Sequence, residues 1–198
     1  MTHTDIEARL HDAVSALPEG LRDHVMRVES EATALAEQHG VDAHRAALAA
    51  LGHDLVRHIK GEALLALARD YGITPDSVEV ASPVLVHGPV AARILARDYG
   101  YDDVEVLAGI DCHTTARTGM TAIEQVLFIA DKVEPWKLAR EAALADVKQL
   151  ASQSLDDAVL RYLDYNLEQS IRRGWQVHSR SVEARNQLLA RKGAAAQA

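Results

Sequence analysis

The sequence predicts an all-α protein with one helical domain. The chain has 198 residues and is 48% hydrophobic but only 4% aromatic, which favours a core built from alanine and leucine. Apolar residues recur every three or four positions through most of the chain, the spacing of amphipathic helices. Because nothing in the sequence has the character of a domain linker, residues 1–198 are expected to form a single domain, with a frayed tail over 193–198.

Capping residues indicate where several of the predicted helices begin and end. Gly40 and Gly174 follow long amphipathic stretches and are placed to cap them. Asp42 can cap a third helix that ends at the His53-Asp54 pair. The apolar spacing predicts helices over residues 5–17, 21–39, 42–54, 62–71, 90–99, 102–112, 120–133, 140–150 and 155–173, and a last helix from the segment 178–186 onward.

Charge and cysteine content exclude several classes of function. The net charge is −8 and the pI is near 5.6, which argues against nucleic acid and anionic membranes as partners. The one cysteine, Cys112, permits neither an internal disulfide framework nor a thiolate zinc site. The N-terminal residues lack a signal-peptide pattern, and no apolar run approaches about 18 residues. A cytoplasmic location is therefore expected.

Asp54 is the first residue that does not fit a structural interpretation. On the third helix Ala47, Ala50 and Leu51 form an inward stripe, and the next step of the stripe reaches Asp54. Burying an unpaired carboxylate costs several kcal/mol, so Asp54 needs a cation. The neighbouring His53 indicates a metal. An exposed His-Asp pair at a helix end is the alternative.

The same anomaly occurs at other helix ends. Stripes of apolar residues lead to His113 and to Asp131, while His24 borders the stripe of the second helix and His87 precedes Gly-Pro at the start of another helix. Each histidine alone could be a core or capping residue. Together, nitrogen and oxygen ligands from five segments suit two ions of Fe, Mn or Zn type, which hydrolyse phosphoesters and phosphoanhydrides. The predicted metal ligands are His24, His53, Asp54, His87, His113 and Asp131.

Five motifs in this order give the sequence a specific resemblance. It resembles the HD-domain metal-dependent phosphohydrolases and, within them, the YqeK-type bacterial bis(5'-nucleosyl)-tetraphosphatases (symmetrical), over about residues 17–189. The motifs are His53-Asp54, Val-His-Gly-Pro-Val at 86–90, His-Thr-Thr at 113–115, Ala-Asp-Lys-Val-Glu-Pro at 130–135, and the segment 178–186. The resemblance implies an HD-domain helical bundle with a dinuclear, di-iron centre in its core.

The resemblance also implies a role for each ligand. His24, His53, Asp54 and Asp131 would hold one metal, and Asp54, His87 and His113 the other, with Asp54 and Asp131 as the catalytic residues. Water or hydroxide between the metals would attack diadenosine tetraphosphate and release two ADP. The residues implied to bind substrate phosphate are Arg180, Arg185, Thr114, Lys132 and Arg57.

The sequence departs from the family pattern outside the metal ligands. Ala116 replaces a usual glycine, Ser179 a common proline, and residues 136–141 an Asp-Phe-Pro-Gly-like stretch, so nucleoside choice and phosphate-chain length stay open. The alternatives are another HD-fold nucleotidase or cyclic-nucleotide phosphodiesterase, and a nucleotide-binding regulator without catalysis. The sequence also leaves open whether the chain forms a homodimer.

Overall fold

The computed structural model describes residues 3–195, and this part of the chain contains helices and no strand. The all-α prediction is therefore confirmed. The long helices end within a few residues of the expected positions. The helices are α1 (His3–Ser15), α2 (Glu19–His39), α3 (Ala43–Gly52), α4 (Gly61–Asp70), α5 (Ser77–Ala81), a 3-10 helix (Pro83–Val86), α6 (His87–Asp98), α7 (Val104–Cys112), α8 (Ala122–Val133), α9 (Pro135–Arg140), α10 (Leu144–Ala151), α11 (Leu155–Arg173) and α12 (Ser179–Ala195).

Helix α8 forms the centre of the bundle. Eleven of its twelve residues, from Ile123 to Val133, are buried, and helices α2, α3, α7, α10 and α11 pack around it. Its apolar side chains, with Phe128 the largest, fill the core. A helix buried on all sides brings its polar residues into the core as well. Asp131 and Lys132 consequently lie inside the molecule, near the ends of the surrounding helices.

Three short helices are absent from the sequence-based prediction. Helix α5 is held by a capping box between Asp76 and Glu79, the 3-10 helix begins with Pro83, and α9 begins with Pro135 under a cap from Glu134. Each has six residues or fewer, too few turns for an apolar stripe to be recognised. Their local capping chemistry was the available signal.

Gly88 has a different structural role from the one that the sequence predicts. The sequence predicts that Gly88 lets the backbone approach a bound group. It also predicts that His87 precedes a helix that starts at Val90. In the structure α6 begins at His87 itself. A Cβ atom on Gly88 would lie 2.6 Å from the carbonyl oxygen of Ile110 and 2.9 Å from Nδ1 of His113. Gly88 therefore permits close packing of α6 against the end of α7.

Two expectations near the C-terminus need correction. The apolar spacing of residues 155–173 predicts that Ile171 faces the core, yet Ile171 is 70% exposed. The buried positions Leu163 and Ser170 are seven residues apart on α11, and Ile171 lies about 100° further around the helix. The frayed tail expected from Gly193 is helical as far as Ala195, and residues 196–198 lie outside the described range. Among the described helices, none is both long and apolar enough to cross a bilayer.

Candidate metal centre

The fold brings all six predicted metal ligands together in one buried cluster. His24 lies on α2, His53 and Asp54 directly follow α3, and Asp131 is near the end of α8. The other two ligands are the first residue of α6 and the residue that caps α7. None of the six is more than 8% exposed. The cluster consists of His24, His53, Asp54, His87, His113 and Asp131.

The carboxylate of Asp54 lies between two pairs of imidazoles. Its Oδ1 atom is 2.8 Å from Nε2 of His87 and 3.7 Å from Nε2 of His113. Its Oδ2 atom is 3.4 Å from Nε2 of both His24 and His53. One oxygen therefore faces each pair, which is the arrangement expected of a bridging ligand.

The hydrogen bonds of three of the four imidazoles show which ring nitrogen carries the proton. Nδ1 of His53 lies 2.6 Å from the carbonyl oxygen of Ala50, and Nδ1 of His113 lies 2.7 Å from that of Ile110. Nδ1 of His87 donates in the same way to the carbonyl of Val84. Because carbonyl oxygens only accept, these Nδ1 atoms are donors. The Nε2 lone pairs are left to point into the cluster.

The inward-facing atoms of the cluster fit a divalent metal site. Nε2 of His87 and Nε2 of His113 are 2.9 Å apart, although both carry lone pairs in the tautomers just described. Nε2 of His24, Nε2 of His53 and Oδ1 of Asp54 are buried without a hydrogen-bond partner. Buried polar atoms are normally satisfied, so this many unsatisfied electron donors facing one another indicate a cation between them. Nitrogen and oxygen donors without sulfur suit Fe, Mn or Zn.

A second cluster of metal-ligand types also contains a buried histidine nitrogen without a hydrogen-bond partner, Nε2 of His178, but the proton lies on a different ring nitrogen there. His178 faces carboxylate oxygens of Asp76 at 3.3 Å and of Glu79 at 3.7 Å. Its Nδ1, however, accepts the backbone N–H of Arg180, so in the neutral ring the proton is on Nε2. Nε2 then presents a donor to the carboxylates. This contact connects α12 to the cap of α5 and leaves no lone pair for a metal.

Burial and neighbouring cations act in opposite directions on the two acids of the centre. Burial alone would raise the pKa of Asp54, but protons shared with the imidazoles of His53, His113 and His87 hold that pKa well below its usual value, and a bound metal ion would take the place of those protons. Burial would also raise the pKa of Asp131, and the charges of Lys132 and Lys137 lower it well below its usual value instead. Both carboxylates are therefore ionised at neutral pH, as metal ligands must be.

A buried glutamate supports the one ligand that lies in the middle of a helix. Oε1 of Glu134 is 3.4 Å from Nδ1 of His24. Its Oε2 accepts hydrogen bonds from Nε of Arg27 at 2.6 Å and from the backbone N–H of Trp136 at 2.9 Å. A carboxylate only accepts, so Nδ1 of His24 is also the donor. All four imidazoles thus present Nε2 to the cluster.

Two cavities lie beside the cluster. The larger cavity has a volume of about 470 Å³ and includes His24, Arg27 and Trp136 in its lining. The smaller cavity has a volume of about 270 Å³ and is lined by three of the ligands, His87, His113 and Asp131, together with Tyr162 and Tyr165. Two cationic side chains line both cavities, namely Arg57 and Lys137.

Three of the five predicted substrate-binding residues lie at the centre. Arg57 donates to Oδ2 of Asp54 at 3.0 Å and lines both cavities. Thr114 and Lys132 line the smaller cavity. The ammonium group of Lys132 already contacts Asp131 and the carbonyl oxygen of His113, so it holds two ligands in place.

The other two predicted substrate-binding residues lie elsewhere. Arg180 is paired with Asp111 at 3.0 Å and Arg185 with Asp164 at 2.5 Å. Neither arginine lines the larger or the smaller cavity. The structure does not bring them to the cluster, and their role toward substrate stays a prediction.

Several residues at the centre were missed by reasoning from the sequence. Lys137 contacts Oδ1 of Asp131 at 2.6 Å. In the sequence, Lys137 and Trp136 stand out only as members of a stretch that departs from the family pattern. Tyr162 and Tyr165 lie on α11, which showed only a packing stripe. Glu134 was quoted within a motif, without a role. The run of two lysines and a glutamate around Asp131 was the signal that could have identified this support.

The match to a family model coincides with the cluster. The model of the HD domain matches residues 21–136, and this range contains all six clustered ligands. The chain belongs to the HD-domain family.

Relatives within the HD-domain family cover nearly the whole chain. A protein of Staphylococcus aureus named bis(5'-nucleosyl)-tetraphosphatase, symmetrical, is 31% identical over 92% of this chain and 93% of its own length. A protein of Bacillus subtilis with the same name is 33% identical over 70% of this chain and 73% of its own. The chain thus belongs to the YqeK-type branch that its motifs predict.

A solved structure agrees with the fold. The crystal structure of a predicted HD superfamily hydrolase involved in NAD metabolism from Clostridium acetobutylicum superimposes with a TM-score of 0.87. It is 28% identical in sequence, and the superposition covers 93% of this chain and 97% of that chain. The helical bundle described above is therefore the fold of this HD superfamily protein as well.

Proposed function

We propose that this protein is a metal-dependent hydrolase that cleaves diadenosine tetraphosphate symmetrically into two ADP. The observation that carries the proposal is the carboxylate of Asp54, with one oxygen toward His87 and His113 and the other toward His24 and His53. The two named relatives described above support the substrate and the symmetrical cleavage.

The ligands divide into two sets around Asp54. His24, His53, Asp54 and Asp131 would hold one ion, and Asp54, His87 and His113 the second. Iron is the proposed metal, and manganese or zinc suits the same donors. When bound, two such ions polarise phosphoryl oxygens and lower the pKa of a water molecule. Because Asp54 and Asp131 have low pKa values, both stay ionised and act as ligands in this site.

The side chains between the two cavities would position the phosphate chain. Arg57 and Lys137 line both cavities and lie beside Asp54 and Asp131. Their charges would bind phosphate oxygens and stabilise the negative charge that develops during attack. In the proposed reaction, the oxygen of water bonds to one of the two central phosphorus atoms. The oxygen that bridged the central phosphorus atoms leaves with the second ADP, and a proton is released to solvent.

Turnover of diadenosine tetraphosphate tests this function. Freshly purified protein is assayed with iron, with manganese and with no added metal, and the products are separated by chromatography. We expect ADP alone, activity lost on chelation, and recovery on adding metal. AMP plus ATP would contradict symmetrical cleavage, and absence of turnover with every metal would overturn the proposed function.

The variant Asp54→Ala tests the assignment of the bridging ligand. We expect it to lose activity by at least about 100-fold and to lose much of its metal, because both ligand sets lose their shared carboxylate. Its helical circular dichroism should persist. Asp70→Ala, at the exposed end of α4, is the control and should behave as the unmodified protein. Full activity in Asp54→Ala would overturn the two-metal arrangement.

A further inference from the structure

The two cavities adjoin each other beside the ligand cluster. The larger includes His24, and the smaller includes His87 and His113. Asp131, whose Oδ1 lies 3.1 Å from Nε2 of His24, also lines the smaller cavity. Arg57 and Lys137 belong to both linings, so the cavities meet at cationic side chains next to the cluster. Their combined volume falls within the range typical of ligand pockets, about 300–1,000 Å³.

Each cavity has an aromatic residue in its wall. Tyr165 lines the smaller cavity. Trp136 lines the larger cavity and is 49% exposed. An indole that is about half exposed at the edge of a cavity can stack against a flat apolar ligand.

Trp136 is also fixed relative to the ligand cluster. Its backbone N–H donates to Oε2 of Glu134, the carboxylate whose other oxygen faces His24. The guanidinium group of Arg140 lies 3.8 Å from the centre of the indole ring. The hydrogen bond thus fixes the backbone of Trp136 next to Glu134, and Arg140 contacts one face of the indole ring.

From this arrangement we infer that the larger cavity is a nucleoside subsite in which Trp136 stacks on a purine base. The smaller cavity takes the second nucleoside, and the phosphate chain lies between them at Arg57 and Lys137. The inference rests on the proposed function, because a dinucleotide cut at its midpoint carries one nucleoside on each side of the cleaved bond. Trp136 lies in the stretch 136–141 that departs from the family pattern, which makes it a residue through which this chain sets its own base preference.

Kinetic constants of a pair of variants test the stacking role. Stacking of a base on an aromatic side chain corresponds to about a 5- to 100-fold change in binding. We expect Trp136→Ala to raise KM for diadenosine tetraphosphate by that factor, and Trp136→Phe to restore most of the loss. The inhibition constant of inorganic tripolyphosphate, which has no base, should not change. An unchanged KM in Trp136→Ala, or an equal loss of tripolyphosphate binding, would overturn the subsite.

Fluorescence provides a test that does not depend on turnover. The chain has two tryptophans, Trp136 and Trp175; Trp175 is 58% exposed beside Arg173 and lines neither cavity, so Trp175→Phe is the matched control. Adding ADP to metal-loaded protein should quench emission in Trp175→Phe and leave it unchanged in Trp136→Phe. Quenching that persists in Trp136→Phe would overturn the subsite. Quenching without any hydrolysis of diadenosine tetraphosphate would support the subsite while overturning the proposed function.

Discussion

Replacing Glu134 by glutamine tests whether this carboxylate fixes His24 as a metal ligand. Glu134 is fully buried, with Oε1 facing Nδ1 of His24 at 3.4 Å and Oε2 bonded to Arg27. Glutamine keeps the shape but removes the charge and turns one acceptor into a donor. Loss of such an outer partner of a metal-bound histidine lowers metal affinity or activity about 10- to 100-fold. The lost charged hydrogen bond costs about 1–3 kcal/mol of unfolding free energy.

A neighbouring glutamate supplies the control for this experiment. Glu124 is also fully buried and is paired with an arginine, Arg117, but its other contact is Cys112 and not a residue of the cluster. Metal-stripped protein is titrated with Mn²⁺ and unfolding is followed by urea denaturation. Both Glu134→Gln and Glu124→Gln should lose stability, and only Glu134→Gln should bind metal more weakly. Equal metal affinity in the two variants would refute the reasoning.

Two further substitutions test packing and charge away from direct metal contact. Gly88→Ala would place a methyl group 2.9 Å from Nδ1 of His113. Metal analysis of this variant should therefore show less than the full metal content. The control Gly193→Ala, which has open space around the new methyl group, should keep the full metal content. A hydrogen bond from Arg45 lowers the pKa of Asp103, so this pair stabilises the fold above the ordinary pKa of 3.8 and the contribution is lost as pH falls through the folded-state value. Asp103→Asn keeps an N-cap type but should cost about 1–2 kcal/mol at pH 7. Urea denaturation should find that this difference in unfolding free energy shrinks progressively as the pH is lowered below 3.8; a difference independent of pH would contradict this.

The buried cluster could be predicted in part from the sequence because three of its members break a regular pattern. Asp54, His113 and Asp131 stand where an apolar stripe calls for a hydrophobic side chain, and the structure buries all three in one cluster. Helix periodicity alone carries that information. It identifies inward-facing polar residues without any knowledge of which helices meet.

The supporting residues could not be predicted in the same way. Trp136 and Lys137 lie on α9, whose six residues are too short for a recognisable stripe, and their importance comes from contacts with distant helices. The converse case is Arg180, whose motif suggests phosphate binding while the fold places it against Asp111, so its role toward substrate stays a prediction. Long, flexible cations take the partner that the tertiary structure offers, and the sequence does not specify that partner.

The way the histidines are oriented explains why most of the ligands stand at helix ends. His53, His87 and His113 each direct Nδ1 to the carbonyl oxygen three residues earlier, on Ala50, Val84 and Ile110 respectively. Ala50 and Ile110 lie in the last turns of α3 and α7, where carbonyl oxygens have no partner within the helix, so the helix end supplies the acceptor that sets the tautomer. The carbonyl oxygen of Val84 also accepts the backbone N–H of His87, and its second lone pair receives Nδ1.

His24 lies in the first half of the long helix α2, where the carbonyl groups are already used by the helix. It therefore needs an acceptor from another part of the chain, and Glu134 provides it. Of the four imidazoles, His24 is the one whose orientation depends on a side chain. A substitution of Glu134 that leaves the backbone intact should therefore disturb the orientation of His24 and leave the orientation of the other three histidines unchanged.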